Sequence, residues 1–87
     1  MKYFAAFLKM KDLEKNVSYR PQHLDYLVQK TNEGRIFAGG KFAGNAGGLV
    51  IYTAESFDEA KTIAESDPYV IYGARVLELY EWEMKVS

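Results

Sequence analysis

The chain contains one histidine, His23, in the run Tyr19-Arg20-Pro21-Gln22-His23-Leu24, and one Asp-Pro step, Asp67-Pro68-Tyr69. Histidine titrates nearest neutrality of all side chains, so an imidazole can give or take a proton at working pH. A carboxylate that reaches it fixes the tautomer and supports the charged form. His23 and Asp67 are therefore the candidate catalytic pair. Arg20 offers a planar fork for a substrate carboxylate or phenolate, and Tyr69, with Tyr19 and Tyr72, offers an aromatic wall for a pocket. The residues alone leave plainer readings open. These are a helix-edge histidine bonded to a carbonyl, an aspartate that only caps a helix, a solvated arginine, and tyrosines that pack a core or an interface.

The elements that must position these groups fit a single domain over residues 1–87, with 48% hydrophobic and 26% charged residues. The net charge of −1 gives no electrostatic reason to expect nucleic acid or an anionic membrane as a partner. With no cysteine and one histidine, no metal site is expected, and a cytoplasmic setting is compatible. Every apolar run is broken by charge or glycine, so no membrane-crossing segment is expected. The first ten residues are too short for a signal peptide and read better as a buried strand.

Residues 2–9 are aromatic-rich and apolar on both faces, a strand. Residues 11–18 read as polar and irregular. A helix is expected after Ser18 or Tyr19, with Pro21 near its first turn and Gly34 as its stop. Leu24, Leu27, Val28 and Thr31 form its stripe, with His23 at the edge. Residues 35–42 and 48–54 read as two more strands. The glycines between Gly39 and Gly48 suit a hairpin with positive φ and close backbone approach, not a phosphate loop. Ser56-Phe57-Asp58-Glu59 is a capping box that opens a second helix. Asp67-Pro68 starts a short turn of helix ended by Gly73. Residues 74–85 form the last strand, whose alternation suggests a bulge or a change of packing partner midway.

The order β-α-β-β-α-β predicts an α+β, ferredoxin-like fold: a four-stranded antiparallel sheet with two helices on one face. Strands one, three and four are apolar on both faces, whereas an antiparallel sheet normally leaves its second face polar. Something must cover that face. A second copy of the same sheet satisfies the requirement, so a homodimer packed sheet to sheet is expected.

Arg20-Pro21-x-His23-Leu24-x-Tyr26-Leu27, Gly34-Arg35, Ala38-Gly39-Gly40, Ser56-Phe57-Asp58-Glu59-Ala60 and Ser66-Asp67-Pro68-Tyr69-Val70 together resemble the YciI-like proteins over nearly the whole chain. The resemblance implies a ferredoxin-like fold assembled as a dimeric α+β barrel, and a His–Asp active-site pair at His23 and Asp67. The family often has Gly-Pro after its second strand, where this chain has Gly40-Lys41. The expectation is thus an enzyme of lyase, isomerase or hydrolase type using general acid/base chemistry. It would act without a cofactor on a compact organic molecule, anionic or aromatic, bound by Arg20 and Tyr69. The alternative is a non-catalytic dimeric module that binds a small ligand or a protein.

Overall fold

A computed structural model describes residues 1–85; the last two residues of the expected domain, 86 and 87, lie outside the described residues. The elements are β1 (Lys2–Met10), α1 (Leu13–Asn32), β2 (Ile36–Lys41), β3 (Gly47–Ala54), α2 (Phe57–Glu65), α3 (Pro68–Ile71) and β4 (Arg75–Trp82). The strands form one antiparallel sheet in the order β2-β3-β1-β4. This is the expected ferredoxin-like βαββαβ fold, with α3 as an added single turn. No helix among the described residues is long and apolar enough to cross a membrane.

The two faces of the sheet follow from the pleat, because successive side chains point to opposite sides. Phe4, Ala6 and Leu8 of β1 lie opposite Tyr52, Val50 and Gly48 of β3, and all are buried toward the helices. Leu77 and Leu79 of β4 join this layer, with Ala60 and Ala64 of α2 packed on it. The other face carries Tyr3 against Phe37 and Phe7 against Phe42, with Val76, Tyr80 and Trp82 exposed beside them. Both faces are apolar, as the pattern predicts.

The last strand corrects one expectation. Its pairing with β1 runs unbroken from Arg75 to Trp82, so β4 has no bulge. The apolar residues on its two sides simply serve the two faces. The register shift falls in β2 instead, between Ile36 and Ala38. Phe37 is the extra residue there, turned onto the open face.

Helix α1 differs more. It starts at Leu13, because Asp12 caps it by accepting from the Lys15 backbone N–H at 3.0 Å, and it runs straight through Pro21. Pro21 removes one backbone donor, which most helices tolerate only in their first turn. The inward stripe is also rotated from the expected one. Asn16, Tyr19, His23, Tyr26, Leu27 and Lys30 face in, while Leu24 and Val28 are 42% and 61% exposed. A stripe read from Leu, Val and Thr misses this because polar side chains occupy the inward positions. The helix ends where expected. Gly34 takes φ +76°, the Arg35 N–H reaches the Lys30 carbonyl at 2.9 Å, and the Gly34 N–H reaches that of Thr31 at 3.0 Å.

The capping box at Ser56 is half formed. Ser56 accepts from the Glu59 N–H at 3.2 Å, but the Glu59 carboxylate pairs with Arg35 instead of reaching back to Ser56. That ion pair clips the entry of β2 to the first turn of α2.

The glycine hairpin is held down by main chain. Gly47 has φ +122°, and a Cβ there would meet the Leu8 carbonyl oxygen at 2.0 Å. Gly47→Ala should therefore cost at least about 2 kcal/mol through backbone strain and collision. Urea unfolding of the variant checks this, and a midpoint equal to that of the parent would contradict it.

Candidate active site

The site is built where α1, α3 and the start of β4 meet. His23 stands in the middle of α1, not in its first turns, and is 6% exposed. Its Nδ1 lies 2.8 Å from both carboxylate oxygens of Asp67, which is fully buried. Asp67 also caps α3, since its Oδ1 accepts from the Tyr69 N–H at 2.9 Å. Asp67 thus caps α3 and contacts His23 at the same time. An ionised carboxylate only accepts, so with Asp67 ionised the proton of the imidazole sits on Nδ1. Nε2 is then the nitrogen left to exchange a proton.

A turn beginning with Asp-Pro is suited to this job. Pro68 at the first helical position has no N–H to satisfy and fixes φ. The carboxylate can therefore spend one oxygen on the Tyr69 N–H and still face His23. Tyr26 fixes the approach of α1 to this turn by donating its hydroxyl to the Ile63 carbonyl, near the end of α2, at 2.6 Å.

Tyr69 is 2% exposed and lies flat on His23, with ring centres 3.9 Å apart and planes 15° apart. The guanidinium carbon of Arg75 is 4.4 Å from the centre of the same ring. Burial raises the Tyr69 phenol above its usual range, opposed by the charges of Arg75 and Arg20. Tyr52, deeper in the core, has a buried hydroxyl with no hydrogen-bond partner among the described residues, and burial likewise raises it.

A cavity of about 500 Å³ opens beside this group, and His23, Arg20 and Tyr69 all line it. Three of the four residues singled out from sequence thus meet at one wall, and the fourth, Asp67, stands behind His23. Gly39, Gly40, Gly44, Gly47 and Gly48 also line the cavity, so the hairpin borders it. Tyr19 and Tyr72 do not line it. They stack on each other, with centres 4.2 Å apart.

Sequence reasoning missed Asn16 and Arg75, which also line the cavity. Arg75 Nε donates to Asn16 Oδ1 at 2.9 Å. The available signal was position. Arg75 occupies the inward face of β4, in phase with Leu77 and Leu79, where an apolar residue is the rule. Among the described residues, no group of three His, Cys, Asp or Glu side chains is placed to hold a metal ion.

With a ferredoxin-like fold and a buried His–Asp pair beside a cavity in hand, comparison with known proteins gives the family. The chain belongs to the YCII-related family, whose domain model matches residues 1–83. It is 30% identical to the uncharacterized protein YjpA of Bacillus subtilis over 83 residues, 95% of this chain and 98% of that protein. It is 37% identical to protein YciI of Escherichia coli over 75 residues, 75% of this chain and 76% of that protein. A solved structure, 5-chloro-2-hydroxyhydroquinone dehydrochlorinase from Burkholderia phenoliruptrix in complex with 2,5-dihydroxybenzoquinone, superposes with a TM-score of 0.81 over 95% of each chain. At 24% identity this likeness establishes the shared fold.

The phenol of Tyr26 is pushed up to about 12, chiefly by burial. The unfolded chain ionises its tyrosines near pH 10, and the folded one resists. This contribution to stability is whole below about pH 10 and is lost as the pH rises toward about 12. Tyr52 and Tyr69 act with the same sign. Melting temperatures should fall through that window, and less steeply in Tyr26→Phe. An equally steep fall in that variant would contradict the assignment.

Proposed function

We propose that this chain is a small-molecule enzyme in which His23 is the general base or acid and Asp67 holds and polarises it. The observation that carries this reading is the contact of His23 Nδ1 with a fully buried carboxylate at the edge of an open cavity. A histidine kept only for packing has no need of a cavity in front of its ring. Nε2 would take a proton from a substrate hydroxyl or from a carbon next to a carbonyl. The electron pair released forms a new double bond. A leaving group then departs with its own electron pair, or the proton is returned at another carbon. The same base would activate a water for hydrolysis, so lyase, isomerase and hydrolase chemistries share this step.

Arg20, exposed at the cavity, is proposed to attract an anionic substrate, and Tyr69 to supply the flat surface under the imidazole. The structural neighbour acts on a chlorinated hydroxyhydroquinone and was solved with a dihydroxybenzoquinone. That supports a compact, planar, oxygen-rich molecule as the substrate class here, with elimination of chloride as the first reaction to try.

We further infer that two copies pack open sheet face on open sheet face. Phe37, Val76, Tyr80 and Trp82, exposed on that face at 44–58%, form an apolar surface that a second copy would withdraw from water. A two-fold axis makes such a contact self-complementary.

Two measurements follow. On 5-chloro-2-hydroxyhydroquinone, read by chloride release, His23→Asn and Asp67→Asn should each lose roughly a hundred- to ten-thousand-fold in turnover while keeping their circular dichroism. Full turnover in His23→Asn would remove the acid/base reading, and no release by the parent would remove the elimination branch. Light scattering at micromolar concentration should give about two chains per particle for the parent and one for Trp82→Glu; a parent monomer would remove the dimer.

A further inference from the structure

Arg75 is a partly buried cation with no ion-pair partner among the described residues. Arg35 pairs with Glu59, Lys2 with Glu81, Lys9 with Glu78 and Lys30 with Glu33. Among the described residues no such ion pair reaches Arg75, whose one side-chain hydrogen bond goes to the neutral amide of Asn16. Withdrawing an unpaired guanidinium from water costs free energy that a bound anion would recover. Burial also pulls this guanidinium below its usual range, against the pull of Tyr69 and Asp67.

Three further observations say where the anion would sit. Asn16 occupies Nε, so the edge formed by the two terminal nitrogens is the free part of the fork. Gly48 leaves room for that edge, since a Cβ at this position would come within 3.1 Å of Nη1. The cavity wall carries Arg20 and Lys41 besides Arg75, and among the described residues no Asp or Glu lines it.

We propose that Arg75 is the anion anchor of this cavity. Its terminal nitrogens grip two neighbouring oxygens of a planar organic anion, a carboxylate or an adjacent oxo and enolate pair. The Tyr69 ring sets the geometry, because it touches His23 at 3.9 Å and Arg75 at 4.4 Å and so fixes the distance from anchored charge to imidazole. Arg20 and Lys41 gather the anion, and Arg75 orients it. The inference deepens the acid/base reading of the site and rests on it for the reaction, but the binding claim is testable by itself.

The test titrates the parent, Arg75→Gln, Arg75→Lys and His23→Asn with 2,5-dihydroxybenzoquinone, which is ionised at neutral pH, and with uncharged 2,5-dimethoxybenzoquinone, by calorimetry. The parent should bind the ionised compound at least about tenfold more tightly. Arg75→Gln should abolish that preference and leave the neutral compound unaffected. Arg75→Lys keeps the charge without the fork and should weaken the anion several-fold. A parent that binds the ionised compound no better than the neutral one, or binds neither, overturns the proposal. So does a preference kept intact in Arg75→Gln or, should that variant fail to fold, an affinity unchanged in Arg75→Lys. His23→Asn should keep the preference. Retained turnover in His23→Asn alongside a lost preference in Arg75→Gln would sink the acid/base reading and leave the anchor standing.

Discussion

A carboxylate entirely out of water is the constraint on which the rest of this structure depends. Asp67 has no exposed surface, and a buried carboxyl group without partners is costly to keep. It is kept because α1 brings an imidazole to one side and the first turn of α3 brings a backbone N–H to the other. Losing either partner would leave charge or hydrogen-bonding capacity stranded in the interior. The packing of α1 against α3 is therefore fixed by polar geometry as much as by apolar contact. The Tyr26 hydroxyl on the Ile63 carbonyl reinforces it from one turn away.

This polar seam explains why a helix with so weak an apolar stripe still docks on the sheet. Asn16, His23 and Tyr26 face inward with Leu27, each engaged by a partner on another element: Arg75, Asp67, Ile63 and the sheet core respectively. The stacking of His23 on Tyr69 and the contact of Arg75 with the same ring join these bonds into one group. Chemistry and fold stability thus draw on the same side chains, and substitutions here must be read with both effects in view.

Much of this was legible in the sequence where local rules act alone. The two-faced apolar alternation of β1 and β3, the stop at Gly34, the Ser56 cap and the Asp67-Pro68 turn each report a short-range preference, and each appears as expected. The start of α1 rests on the local Asp12 cap, which a polar stretch concealed. Its inward stripe was not legible, because those positions are held by residues whose partners lie dozens of positions away, and these look like surface until the fold is known. Arg75 escaped notice for the same reason, as a cation in phase with two leucines. His23 and Asp67 could be nominated from residue type, but their meeting depends on a contact 44 residues apart in sequence that no local pattern encodes.

The glycine hairpin gives the cavity an unusual wall. Along the hairpin a ligand meets the backbone of five glycines, and that backbone is pinned because Gly47 rests directly on the Leu8 carbonyl. Its glycines leave this wall few side chains to trim or exchange, those of Lys41 and Asn45 among them. The shape of this face is written in the length and path of the β2–β3 connection, so remodelling the pocket for a different guest calls for inserting or deleting residues between Lys41 and Gly47 more than for replacing one residue by another.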